Sequence, residues 1–98
     1  MEGPIYKFFR VRWTEAWYQL SPAEQGEVAA KEADLRKQLG VRNLALCDAG
    51  WSNELWSLCG MHEYPDMETV TRHYEGMKAL GLFRYMESET MLATPWVG

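Results

Sequence analysis

The order of segments along the chain predicts an α+β domain: a four-stranded antiparallel sheet with two helices packed on one face. Three observations carry this expectation. Two segments have complete helix-start and helix-stop chemistry, four others are rich in β-branched and aromatic residues, and the two kinds follow one another as β-α-β-β-α-β.

The first strand is "IYKFFRVRWTE" (Ile5 to Glu15). Side chains alternate across a strand, so Ile5, Lys7, Phe9, Val11 and Trp13 share one face, and Tyr6, Phe8, Arg10, Arg12 and Thr14 share the other. "LSPAEQGEVAAKEADLRKQLG" then opens with Ser21 as N-cap, Pro22 at the first helical position and Glu24 three residues after the Ser. This is a capping box, and Gly40 closes the helix. Val28, Leu35 and Leu39, with Ala29 between them, supply its apolar stripe.

"NLALCDA" (Asn43 to Ala49) is a short second strand, and "GWSNE" after it is turn chemistry. "LWSLCGMHEY" (Leu55 to Tyr64) is the third strand. Asp66 is the N-cap of a second helix over "PDMETVTRHYEGMKALG", with Met67, Val70, Tyr74 and Met77 at helical spacing and Gly81 as the stop. "LFRYMESETML" (Leu82 to Leu92) is the fourth strand. The sum is a split β-α-β, or ferredoxin-like, arrangement, in which right-handed crossovers put both helices on one face. The other face has no internal cover and is partly aromatic, so a partner sheet from a second copy is the natural complement.

Ninety-eight residues make one domain, 1–98, and 47% hydrophobic content is that of a globular chain. A net charge of −4 with scattered basic residues argues against nucleic acid. No stretch approaches the roughly 20 apolar residues of a membrane span, and "MEGPIYKFFRVR" lacks the layout of a signal peptide, so a soluble, cytoplasmic protein is expected. Cys47 and Cys59 lie in apolar segments and are expected to be reduced, buried thiols. No CxxC or HxxxH spacing is present, and neither a metal nor a cofactor is expected.

The third strand holds Ser, Cys, His, Glu and Tyr within ten residues. Alternation puts Leu55, Ser57, Cys59, Met61 and Glu63 on one face and Trp56, Leu58, Gly60, His62 and Tyr64 on the other. A Cys59–His62 or Ser57–His62 nucleophile pair is thereby excluded. His62 survives as a candidate for proton transfer, beside Trp56 and Tyr64, against the plainer reading of a strand-end His bonded to backbone or water. Gly60 is read either as room for a ligand or as a bulge. His73, at the border of the second helix's apolar stripe, is read as a half-exposed His or a ligand contact. Arg10 and Arg12 face Glu87 and Glu89 if the fourth strand lies beside the first, forming an ion-pair ladder; alternatively Arg12 anchors an anionic ligand. Tyr85 is read as a core contact or a proton donor.

The segment "GMHEYPDMETVTRHYEGMKALGLFRYMESE", together with the element order, resembles the dimeric α+β barrel superfamily. That group includes the antibiotic-biosynthesis monooxygenases and the NIPSNAP-like proteins. The resemblance implies a homodimer whose two sheets close face to face around a cavity. With the side-chain chemistry it gives the functional expectation of a small cofactor-independent enzyme, an oxygenase or acid–base isomerase or cyclase. Its substrate is an aromatic or polyketide-like molecule held in an apolar cavity. His62 and Tyr85 are the expected catalytic residues, and Arg12, Trp56 and His73 the expected substrate contacts. Two alternatives stand beside it: a non-catalytic ligand-binding or stress-associated barrel, and a haem-binding barrel with His62 or His73 as axial ligand. Whether the chain is an enzyme stays open at this point, since fold does not confer function.

Overall fold

The computed structural model describes residues 3–98. Strand β1 (Ile5–Trp13) leads through the short helix α1 (Glu15–Tyr18) into α2 (Pro22–Leu39). Strands β2 (Arg42–Asp48) and β3 (Leu58–Tyr64) follow, then α3 (Met67–Ala79), a single 3₁₀ turn at Leu82–Arg84 and β4 (Met86–Ala93). The strands form one sheet in the order β2-β3-β1-β4, every neighbouring pair antiparallel. This is the ferredoxin-like α+β fold expected from the sequence.

Local chemistry explains the elements. Ser21 and Glu24 form the reciprocal capping box, and Gly40 ends α2 in the left-handed region at φ 73°. Asp66 caps α3 by accepting the Thr69 N–H at 2.8 Å, which fixes where that helix starts. Three of the boundaries that differ from expectation have a visible cause. β1 stops at Trp13, because the Thr14 hydroxyl and N–H are spent on the Arg84 and Tyr85 carbonyls, and the Trp17 ring folds back to stack on Trp13 at 4.1 Å. β3 begins at Leu58 rather than Leu55, since the Asn53 side chain accepts the Leu55 and Trp56 N–H groups and holds them in a turn. β4 begins at Met86, after the 3₁₀ turn, so Tyr85 lies outside the strand.

The register of β2 against β3 slips between Asn43 and Ala45, where Leu44 is the extra residue. Gly60 pairs with Leu46, two residues past this bulge. A Cβ there would come within 2.3 Å of the Ala45 carbonyl oxygen and 2.7 Å of the Phe9 ring, so the strand tolerates only glycine. Neither expected reading of Gly60 fits: the Ala45 carbonyl and the Phe9 ring take the space over it, and the bulge is in the neighbouring strand.

Core packing is concentrated at one end. Ile5, Val41 and Tyr64 form the buried cluster, with Leu39 and Val70 packed against it. Helix α2 has no fully buried residue, and beneath its middle the sheet and the helices do not touch. The buried stripe of α3 also differs from expectation. It runs through Thr69, His73 and Met77, at i, i+4 and i+8, while Tyr74 is 57% exposed. Cys47 and Cys59 are free and exposed rather than buried. They pair across β2 and β3 on the face without helices.

Candidate active site

The space left between the sheet and the helices is a cavity of about 360 Å³, within the range of roughly 300–1,000 Å³ usual for small-molecule pockets. Its walls are mostly apolar, from Phe9, Trp13, Trp17, Val28, Leu58 and Met77. Few charged or ring-nitrogen groups interrupt them: Lys7 from β1, Glu32 and Arg36 from α2, His62 from β3 and His73 from α3.

Sheet register brings the first pair together. Lys7 and His62 are direct cross-strand partners, and alternation turns both toward the helices. His62 is 5% exposed and packs its ring against Phe9, with centroids 4.6 Å apart, and 6.0 Å from the His73 ring. Its Nδ1 is buried and has no hydrogen-bond partner. His73 is 1% exposed, and its Nδ1 is 2.6 Å from the Tyr64 hydroxyl. Its Nε2 lies 3.4 Å from Glu32 Oε2 without a formed hydrogen bond. A carboxylate facing Nε2 favours the tautomer with the proton there, so the Tyr64 O–H donates to Nδ1. Glu32 is held in turn by the Arg36 guanidinium at 2.7 Å.

Burial dominates the electrostatics. It pushes the His62 imidazole down to about 3, helped by the cationic Lys7 and Arg36, so this ring is neutral at physiological pH. It brings Lys7 down to about 8; Glu32 opposes that change and Arg36 adds to it. Burial likewise raises the Tyr64 phenol above its ordinary range, with Glu32 reinforcing it. For Glu32, burial pushes upward, and the His73 imidazole and Arg36 guanidinium more than offset it, keeping the carboxyl below its usual value. The cavity therefore joins a neutral imidazole with a free nitrogen, an amine poised near neutrality and a tyrosine–imidazole–carboxylate chain.

The structure brings two of the five expected site residues into this cavity. His62 and His73 both line it, and His73 is buried rather than half-exposed. Arg12 lies on the opposite face of the sheet, bonded to Glu87, with the Trp56 ring 5.6 Å from its guanidinium carbon. Trp56 is on that face too, because it precedes β3 and escapes the alternation that orients His62. Tyr85 caps the 3₁₀ turn and is not among the cavity residues. Sequence reasoning missed Lys7, Glu32 and Arg36. The signal for Lys7 was present, as one cation in an otherwise apolar face of Ile5, Phe9, Val11 and Trp13. Among the described residues no group of three or more His, Cys, Asp or Glu side chains is arranged to hold a metal. Among the described residues no helix is long and apolar enough to cross a membrane.

A ferredoxin-like sheet with a hollow under its helices thus defines the class of domain. Solved structures with the same fold span essentially the whole chain. A protein of unknown function from Rhodopseudomonas palustris is similar with a TM-score of 0.65 and 18% identity, over 100% of this chain and 86% of its own. Its methylated form gives 0.65 and 16%, over 98% and 83%. The solution structure of a hypothetical Arabidopsis thaliana protein gives 0.61 and 13%, over 99% and 92%. No protein-family model matches the chain, nor does any curated protein.

Proposed function

We propose that the chain is a small cofactor-independent enzyme that carries out proton transfer on an apolar, aromatic-sized molecule held between the sheet and the helices. The observation that carries this reading is the buried imidazole nitrogen His62 Nδ1, which has no partner and stands at an apolar cavity. Buried polar atoms are normally satisfied, and leaving one unsatisfied costs about 1–3 kcal/mol, which a ligand oxygen placed there recovers. In the bound complex His62 faces the reacting group. A developing enolate or phenolate beside it favours the charged imidazole, so the ring becomes a better proton acceptor as the reaction proceeds. Protonated Lys7 neutralises the oxygen that gains charge, and the Tyr64–His73–Glu32 chain fixes the second imidazole in one tautomer.

The aromatic ketone 2-tetralone, dissolved in D2O, tests this directly. The wild-type chain is expected to accelerate exchange of the acidic protons next to the carbonyl. Loss of that acceleration in His62→Gln, with 2-tetralone affinity retained, is the signature of catalysis. Retained affinity with no exchange in the wild type leaves a passive binding protein. No binding at all overturns the cavity reading.

We also propose that two copies associate through the sheet face without helices. Phe8 and Met91 are 40% and 63% exposed there and lie directly opposite each other across β1 and β4, an apolar patch within a charged surround. Native mass spectrometry checks this: a dimer that Phe8→Glu converts to monomer supports the association, and a monomeric wild type removes it.

A further inference from the structure

We infer that Lys7 is a carbonyl-capturing residue, whose Nζ forms a reversible imine with an apolar aromatic aldehyde or ketone in the cavity. The inference rests on reading the cavity as a small-molecule site, and it adds the substrate class.

Geometry isolates this amine. Lys7 is the third residue of β1, a middle strand of the sheet, and its side chain crosses the Phe9 and Tyr64 rings, with Nζ 5.7 and 5.6 Å from their centroids. None of the ion pairs among the described residues includes it. It lines the 360 Å³ cavity and also a second hollow of about 480 Å³ between α3 and β4, so it stands on the wall the two share. The charged and titratable groups around these spaces are His62 and Tyr64 from β3, Glu32 and Arg36 from α2, and His73, Tyr74, Glu75 and Lys78 from α3. Lys31, Lys37 and Lys78, the other lysines of the chain, are all exposed.

An amine reacts with a carbonyl only in its neutral form. A fall from 10.5 to about 8 raises the neutral fraction at pH 7 roughly 300-fold. In the first step the Nζ lone pair forms a bond to the carbonyl carbon while the C=O π pair moves to oxygen. One proton then moves from the nitrogen to the oxygen, giving a carbinolamine; neutral His62 Nδ1, on the register partner of Lys7, is the group in the cavity that relays it. In the second step the C–O bond breaks as the nitrogen lone pair forms the C=N bond; the remaining N–H proton passes to the oxygen, which leaves as water. Amine plus carbonyl gives imine plus water, with no oxidant or reductant. Once protonated to an iminium, the imine withdraws electrons from the neighbouring carbon more strongly than the parent ketone, which serves the proton transfer proposed for the same cavity.

The experiment treats the whole chain with 2-naphthaldehyde and sodium cyanoborohydride, which reduces an imine to a stable secondary amine, and maps the labelled lysines by peptide mass spectrometry. Fragment spectra separate Lys7 from the chain's α-amino group. At pH 7 Lys7 is expected to be labelled at least about tenfold faster than Lys31, Lys37 or Lys78. That preference should shrink about tenfold by pH 9, because Lys7 is then mostly neutral while ordinary lysines continue to gain neutral amine. Lys7→Arg keeps the charge and Lys7→Met keeps the apolar stem; both should lose the label, and an unchanged far-UV circular dichroism spectrum in either shows that the loss is not unfolding. Labelling of Lys7 no faster than of the exposed lysines overturns the inference. If 2-tetralone still binds in that case, the cavity reading survives alone; if it does not, both fall.

Discussion

The two faces of β1 carry the same kinds of side chain and treat them in opposite ways. On the face without helices every arginine has its carboxylate. Arg10 meets Glu89 at 2.6 Å and Arg12 meets Glu87 at 2.8 Å, while Trp56 lies against both guanidinium groups. On the helix face, Lys7 has no ion pair among the described residues and His62 Nδ1 has no partner. Exposed pairs of the first kind are worth about 0–1 kcal/mol and stabilise the sheet locally. Buried, unpaired groups of the second kind oppose folding, and a ligand is what relieves them. The contrast separates brace from site more sharply than residue type does, since Arg12 and Trp56 looked as reactive in the sequence as His62 and His73, and Lys7 did not stand out at all.

The strongest way to break this contrast is His62→Gln. Glutamine keeps polarity and approximate volume but cannot accept a proton from carbon. Proton exchange from 2-tetralone should fall about 10²- to 10⁴-fold, the usual contribution of a positioned acid–base group. An unchanged rate moves the chemistry elsewhere.

Gly60→Ala tests the frame beneath His62 and Phe9. The added methyl meets the Ala45 carbonyl at 2.3 Å, a backbone atom that cannot swing away as a flexible side-chain tip can. Overpacking of this kind costs about 1–3 kcal/mol, read as a lower denaturation midpoint with an unchanged denaturant slope.

The acid limb of stability tests the burial of His62 itself. Its folded value near 3 lies below the ordinary 6.5, so the unfolded chain takes up a proton that the native chain refuses. Stability from this group is complete above pH 6.5 and is lost as pH falls toward 3, by up to roughly 1.4 kcal/mol for each unit. His62→Phe should remove that share of the slope, and it shows best above pH 4.5, before the carboxylates Glu32 and Asp66 reach their ordinary range. Urea unfolding at several pH values measures it. A wild-type slope matched by His62→Phe sinks the assignment.

How much was legible followed how local the cause was. The capping box at Ser21, the Asp66 cap and the Arg–Glu ladder each depend on neighbours in sequence or on strand alternation, and all were readable. The face of His62 relative to Cys59 was readable for the same reason. Trp56 was misplaced because alternation was extended three residues too far, into a turn that Asn53 holds with its side chain. The burial of His73 and the role of Glu32 depend on how α2 and α3 settle over the sheet. Helix spacing alone does not reveal that distance, especially with Gly76 admitting Leu35 so closely.

The smallest effect belongs to the ladder, and it is where the two faces can be told apart most cleanly. Arg12 and Glu87 are 40% and 60% exposed, so solvent screens their attraction. A double-mutant cycle through Arg12→Ala and Glu87→Ala should give a coupling of about 0.2–1 kcal/mol, weaker in high salt. Removing Arg12 also uncovers one side of Trp56, whose other cationic neighbour Arg10 is closer at 4.7 Å, so the aromatic contact persists. Neither substitution touches a cavity residue. Both variants should therefore exchange the protons of 2-tetralone at the wild-type rate. A rate that fell with Arg12 would return that arginine to the site and put the working cavity on the opposite face of the sheet.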